Sequence, residues 1–156
     1  MIQKTKYLFI FLFLLSCGYS PIYQSNKEIN LKLDLIEYSG DKKIGREIVK
    51  GLEEFRKDKN LNIFDASFVI SKKEIIITKN KKGDPSSFRT TIEMNLNLTH
   101  QKNKRVFTRK FIEESTYDSM ENKFELDKYK SKLEKNMINK ILSDINTYFS
   151  IIQNDL

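Results

Sequence analysis

Cys17 is the only cysteine and His100 the only histidine in 156 residues, and these two counts bound the chemistry. One thiol builds no intramolecular disulfide framework and no cysteine-cluster metal site. One imidazole excludes multi-histidine metal sites. A cysteine nucleophile with a histidine base would need Cys17 and His100 together. The residues in front of Cys17 assign it to other work. They run Leu14-Leu15-Ser16-Cys17, behind Lys4, Lys6 and an apolar stretch from Tyr7 to Leu15. A short basic start followed by a short apolar run is a secretory leader pattern. Nine residues rise about 14 Å as a helix, less than half of a ~30 Å hydrocarbon core, so the run is no permanent membrane span.

The tetrapeptide Leu14-Leu15-Ser16-Cys17 resembles the bacterial lipobox. The resemblance implies cleavage before Cys17, a diacylglyceryl group on its thiol and an acyl chain on its new amine. Each buried CH₂ contributes about 0.8 kcal/mol; one chain anchors marginally and two or more anchor stably. The competing reading is a plain secreted protein with a free N-terminal cysteine. Gly18 follows the cysteine, where lipoproteins kept at the inner membrane commonly carry aspartate. By that resemblance the chain is sorted to the outer membrane, with its domain facing the periplasm.

The remaining chemistry-bearing residues are carboxylates and cations. Glu113 and Glu114 are adjacent, and in a strand they point to opposite faces, so they do not form a carboxylate pair. Asp34 reads as a solvent-face residue. A small peptidoglycan hydrolase could still draw two acids from distant segments, but it needs a cleft. Gly18, Gly40, Gly45, Gly51 and Gly83 are too scattered for a phosphate loop or a dinucleotide fingerprint. The formal charge is +7, carried mostly by lysine. Net charge speaks to solubility and non-specific binding, so solvated faces and an anionic partner are both consistent with it. In the periplasm that partner is not nucleic acid, and no cofactor is expected.

These residues need elements to hold them. Residues 1–16 read as a cleaved leader and residues 17–28 as a lipidated tether. Residues 29–156 are about the size of one domain. A composition 39% hydrophobic and 31% charged argues against a fully disordered chain. Ile29, Leu31, Leu33 and Leu35 alternate with polar residues, the period of a half-buried strand. Ser39-Gly40-Asp41 is a turn and helix N-cap. Ile44, Ile48, Leu52 and Phe55 follow at helical spacing, ending near Asp58 to Asn60. Gly45 and Gly51 each weaken that helix by about 1 kcal/mol relative to alanine. They either admit a close neighbour or are unselected.

Phe68 to Ile70 and Glu74 to Lys79 are strand-like but out of phase. Lys72-Lys73-Glu74 is therefore a bulge in one strand or a tight turn between two, and the bulge is preferred. Asn80 to Ser87 is a turn. Phe88, Thr90, Ile92, Met94, Leu96 and Leu98 share one strand face; Arg89, Thr91, Glu93, Asn95, Asn97 and Thr99 share the other. Arg105 to Thr116 is a further strand with Phe107 and Phe111 on one side. From Phe124 to Ile152 the pattern is helical, through Leu126, Tyr129, Leu133, Met137, Ile141, Ile145 and Tyr148. The expected fold class is α+β. It is a two-layer sandwich of order β-α-β-β-β-α, with both helices on one face of a four-stranded mixed sheet and a polar opposite face.

The start Cys17-Gly18-Tyr19-Ser20-Pro21-Ile22-Tyr23, with this layout, resembles the LptE family of lipopolysaccharide-assembly lipoproteins. Ser115-Thr116-Tyr117 before the last helix is also similar to a Ser-Tyr pattern in that family. The Lys- and Glu-rich start of the last helix departs from the alanine-rich turns of some relatives. The resemblance implies no enzyme. It implies a plug in the lumen of the LptD β-barrel of the outer membrane, which helps that barrel assemble and contacts lipopolysaccharide. A polar lumen wall suits a polar sheet face such as Thr91, Asn95, Asn97 and Thr99, though an ordinary solvated face looks the same. Lipid phosphates suit cations. The candidates are Lys79, Lys81 and Lys82 at one strand-to-strand tip and Arg89, Arg105 and Arg109 along the strands, forming two sites at opposite ends. The alternative is an outer-membrane lipoprotein serving another envelope transport system.

Overall fold

The computed structural model describes residues 29–57 and 62–154. The leader, Cys17 and the tether to residue 28 lie outside them. Strand β1 (Lys32–Gly40) leads into helix α1 (Lys42–Leu52), which tightens into a 3₁₀ turn over Glu53–Arg56. Strands β2 (Ile63–Lys79), β3 (Pro85–His100) and β4 (Val106–Asp118) follow, then helix α2 (Lys123–Asn154). The sheet order is β1-β2-β3-β4. β1 pairs parallel to β2, and β2, β3 and β4 form an antiparallel meander. The α+β expectation holds.

Alternation does most of the sorting. Phe64, Ala66, Phe68 and Ile70 of β2 and Ile92, Met94, Leu96 and Leu98 of β3 are buried. Both helices cover that face, through Ile44, Ile48 and Leu52 of α1 and Met137, Ile141, Ile145, Phe149 and Ile152 of α2. Full burial of each such side chain contributes about 1.5–3 kcal/mol. Asp41 caps α1, its Oδ1 accepting from the Lys43 and Ile44 amides at 3.0 Å. Asn122 does the same for α2, accepting from the Phe124 and Glu125 amides. These caps satisfy donors that have no partner inside a helix.

Close neighbours account for both helix glycines. A Cβ on Gly45 would stand 2.3 Å from the Tyr38 ring, and one on Gly51 would stand 2.4 Å from Leu142. Gly45 seats α1 on β1, and Gly51 seats it against α2.

Four expectations are corrected. Leu35 does not continue the buried face of β1. The register slips between Leu33 and Ile36, so Leu35 is exposed, while Ile36 and Tyr38 pack on the core. An extra residue in one strand shifts the phase of everything after it. Second, Lys72-Lys73-Glu74 is neither bulge nor turn. β2 is one strand, and its register with β3 runs unbroken from Phe64↔His100 to Ile76↔Phe88, with irregularities only around Thr78. The apparent phase change arises because Lys72 and Glu74 occupy the helix side while Ile75 and Ile77 emerge on the open side. Third, helix α1 ends at Leu52, before the 3₁₀ turn, and Asp58 to Asn60 lie outside the described residues. Fourth, the apolar stripe of α2 fails at its start. Phe124 and Tyr129 are exposed, and the stripe runs through Ile138 and Phe149 instead.

Candidate functional site

The β2–β3 hairpin ends in a tip whose shape is set by Asn80. Its Oδ1 accepts from the Lys82 amide at 2.9 Å and the Asp84 amide at 3.0 Å, and its own amide donates to the Asp84 carbonyl at 2.8 Å. The Gly83 amide closes the turn onto the Asn80 carbonyl at 3.0 Å. Below the turn, the Thr78 hydroxyl bonds Ser86 at 2.8 Å and also meets Ser87. Lys79, Lys81 and Lys82 are exposed on this ordered loop. Their positions are fixed by backbone bonds that do not involve their ammonium groups.

Arg89 sits four residues into β3 on the open face, its Nε 4.0 Å from Glu114 Oε2. Its partner across the pair is Ile75. Ile75, Ile76 and Ile77 are 42%, 49% and 42% exposed. These three carry a sequence signal that neither charge nor motif spacing contains. Three consecutive apolar residues in a strand cannot all face one core, because successive side chains point to opposite faces. The tip thus combines cations with apolar surface.

The other two cations lie at the opposite end. Arg105, in the β3–β4 turn, stacks over the Phe107 ring with its guanidinium carbon 4.7 Å from the centroid. Arg109 lies on the helix side of β4, 5.8 Å from the Tyr148 centroid, at a groove of about 350 Å³ between β4 and α2. At about 3.3 Å per residue along β3, the turn at Arg105 is roughly 35 Å from Arg89, and Arg109, paired with Leu96, is about 23 Å from it. The structure brings Lys79, Lys81, Lys82 and Arg89 to one end and leaves Arg105 and Arg109 at the other. Arg89, expected to group with Arg105 and Arg109, instead lies near the lysine tip, because its register opposite Ile75 places it at that end of β3.

The open sheet face carries cross-strand polar pairs, with Val69, Ile75, Ile77 and Ile112 exposed among them. Lys110 Nζ meets Glu93 Oε1 at 2.8 Å, Thr91 donates to Glu114 at 3.1 Å, and Thr108 donates to Asn97 at 2.8 Å. Gln101 Nε2 donates to both Asp34 and Asp65. Cross-strand pairs of this kind stabilise a sheet by roughly 0.2–1 kcal/mol each.

Beneath the helices, ion pairs replace apolar contacts toward the hairpin. Glu134 of α2 is bound by Lys43 of α1 and Lys72 of β2. Burial opposes its ionisation, but the hydrogen bonds from Lys43 and Lys72 outweigh burial and hold its pKa below the ordinary carboxylate value. Glu74 meets Lys130 at 3.0 Å and accepts from Thr90 at 3.3 Å. Lys140 reaches Glu113 at 2.8 Å. Tyr117 stacks on Phe88 with ring centroids 5.2 Å apart. Its buried hydroxyl completes no hydrogen bond of ordinary geometry, and burial, then the adjacent Glu74, raise its pKa.

Catalytic arrangements do not assemble from these groups. His100 is buried edge-on against Phe64, with Nδ1 2.8 Å from Asn103 Oδ1, as part of the β3–β4 turn. Glu113 and Glu114 face opposite sides of β4, as alternation requires. Among the described residues, no cluster of three or more His, Cys, Asp or Glu side chains could hold a metal ion.

No family model matches the sequence, and no curated protein matches it. Solved structures do match the fold. The rare lipoprotein B from Shewanella oneidensis aligns with TM-score 0.57 at 10% identity, covering 78% of this chain and 98% of that one. A minor lipoprotein from Acinetobacter baumannii aligns with TM-score 0.57 at 10% identity, covering 78% and 92%. An uncharacterized lipoprotein B from Nitrosomonas europaea aligns with TM-score 0.54 at 11% identity, covering 79% and 86%. The fold is that of the rare lipoprotein B (LptE/RlpB) structures.

Proposed function

We propose that this chain is a lipopolysaccharide-assembly lipoprotein of the LptE kind, anchored to the outer membrane through Cys17 and acting without catalysis. The observation that carries the reading is the shared fold, which spans nearly the whole of the lipoprotein B chain from Shewanella oneidensis. The lipobox at Leu14 to Cys17 and the Cys17-to-Tyr23 start support it from the sequence. In this reading the domain plugs an LptD-like β-barrel from its periplasmic side. The cross-strand polar pairs of the open face, Lys110 with Glu93, Thr91 with Glu114 and Thr108 with Asn97, suit a polar lumen wall, which rewards hydrogen bonding.

The hairpin tip is the element that would touch lipopolysaccharide. Lysine ammonium groups are point charges for lipid phosphates. Ile75, Ile76 and Ile77, exposed just below them, offer apolar surface to acyl chains. Arg89 lies on the same end, whereas Arg105 and Arg109 would form a separate, second cationic site.

The test is a pull-down of tagged full-length protein from detergent-solubilised outer membranes, with mass spectrometry of what stays bound. A stoichiometric large β-barrel protein is expected. A lipoprotein recovered with no barrel would reject the plug and favour a lipoprotein of another envelope transport system.

A further inference from the structure

The first described residues sit beside the end of the last helix. Ile29 packs on the core, and the Asn30 amide donates to Gln153 Oε1 at 2.8 Å. The chain therefore enters the domain at the C-terminal end of α2. Two features at that place call for a partner. No basic residue lies in the last turn of α2, so its own side chains supply no cation to the negative end of the helix. On the side toward β4, the groove of about 350 Å³ is lined by Arg109, Phe111 and Ile112 of β4 and by Tyr148 and Ile151 of α2. Ile112 and Ile151 are 49% and 53% exposed there. The residues that precede Ile29 are of the matching kinds. Lys27 is two positions before it, and Tyr19, Pro21, Ile22 and Tyr23 are the apolar members of an otherwise polar stretch.

We infer that the groove between β4 and α2 receives this chain's own tether, with Lys27 against the carbonyl end of α2 and Ile22 and Tyr23 seated in the groove. This goes beyond the barrel reading and does not rest on it. Reach permits the path. Extended chain spans about 3.3–3.6 Å per residue, which places Tyr23 up to about 20 Å from Ile29. Ile151 and Tyr148 precede Gln153 by two and five positions, about 3 and 8 Å along the axis of a helix about 10–12 Å across. Rounding the helix end takes up most of that reach, so the first apolar residues to arrive are Tyr23 and Ile22. Ile22 then shields Ile112 and Ile151 from water. The Arg109 guanidinium carbon is 5.8 Å from the Tyr148 centroid, and a planar guanidinium can stack a second ring, that of Tyr23, on its other face. Docking also shortens the leash. A free tether lets the domain stand about 40 Å from the lipid on Cys17, whereas a seated Ile22 leaves only Cys17 to Pro21 between them, about 17 Å. The domain is thereby held against the leaflet that carries its anchor.

Cys17 is the only cysteine, so a single nitroxide can be placed on it. The experiment uses the whole mature chain, residues 17–156, made without its leader so that the thiol stays free. Neither a barrel nor lipopolysaccharide is present, so the result bears on the docking alone. Amide resonances are compared with the label oxidised and reduced. The Ile112, Thr147 and Ile151 amides should broaden strongly, and the Lys81 and Lys82 amides at the far tip should not. Ile22→Ser with Tyr23→Ser should cut that broadening at least threefold and shift the Tyr148 and Ile151 resonances. Ile151→Lys, a change at a half-exposed position, should do the same from the groove side. Broadening and resonances that ignore both changes overturn the assignment. Broadening spread evenly over the β3–β4 turn overturns it as well, because that is the mark of an unseated chain. So does broadening that grows with protein concentration, which reports contact between two chains. Groove resonances that shift only when detergent is added would make an amphiphile the occupant and overturn it too.

Discussion

The Lys43 ammonium on α1 stands 2.6 Å from the Glu134 carboxylate on α2, whose other oxygen meets Lys72 on β2. One largely buried carboxylate thus joins both helices and the sheet. Losing it would leave two lysines without their counter-charge. Glu134→Ala should lower stability by about 1–3 kcal/mol, the usual cost of a lost charged hydrogen bond. The two lysines are partly exposed and can be rehydrated, which keeps the cost out of the range of fully buried pairs. Urea unfolding at neutral pH measures it, and an unchanged midpoint would refute the tie.

The same group sets a pH dependence. The folded pKa of Glu134 is depressed below 4.5, so its contribution is fully present above the unfolded value. That contribution fades as pH falls through the folded pKa. Hydrogen bonding to Glu134 raises the pKa of Lys43 above 10.5, so its share persists until alkaline pH exceeds the raised value. The stability gap between the parent and Glu134→Gln should therefore be wide at pH 7 and close progressively below about pH 4. A gap that stays constant from pH 7 to pH 2 would contradict this.

Gly45→Ala should destabilise the domain, although alanine is the better helix former. The added Cβ would fall 2.3 Å from a Tyr38 ring that is stacked on Phe68 at 5.7 Å. Overpacking costs about 1–3 kcal/mol, against about 1 kcal/mol of helix propensity gained. The net loss should appear as a lower melting temperature, and Tyr38→Ala in the same chain should relieve it.

Tyr117→Phe should leave stability unchanged or raise it by up to about 1 kcal/mol. The hydroxyl is buried beside Glu74 and Lys130 but completes no hydrogen bond of ordinary geometry, so removing it relieves a desolvation cost and gives up only a poorly aligned polar contact. The stacking on Phe88 and the Lys130 contact over the ring, 5.2 Å from its centroid, need only the ring. A loss beyond about 1 kcal/mol in thermal unfolding would mean the hydroxyl has a partner after all.

Lys81→Ala with Lys82→Ala should weaken lipopolysaccharide binding at low salt and narrow the difference at high salt, because exposed charges are screened. The Asn80 hydrogen bonds that shape the turn use backbone amides and survive the change. Binding equal to the parent at both ionic strengths would remove the tip from the ligand contact. Adding Ile75→Ser and Ile77→Ser should reduce the salt-insensitive remainder, measured in the same assay.

Much of this architecture is legible in the order of the residues. The alternation from Phe88 to Leu98 identifies the buried face of β3. Ile44, Ile48, Leu52 and Phe55 identify the inward side of α1, and Asp41 its start. The likeness of the layout to a lipoprotein fold is legible for the same reason. Leu35 is not, because nothing local marks the slip between Leu33 and Ile36, which arises from pairing with β2. The expected bulge at Lys72 to Glu74 comes from equating apolar with inward. Lys72 and Glu74 instead face α2, where Glu134 and Lys130 neutralise them.

Sequence by itself determined the element order, the period of each element and therefore which side chains share a face, since both periods are properties of the local backbone. The lipobox pattern is likewise a contiguous signal. Only the tertiary structure decided which faces meet. It gathered Arg89 with the tip lysines and sent Arg105 and Arg109 to the far end. It exposed Ile75 to Ile77 and left β4 as the regular open edge. These outcomes depend on strand register and helix placement, which are set by contacts between residues far apart in the chain. A one-residue slip in such contacts turns a whole side-chain row over.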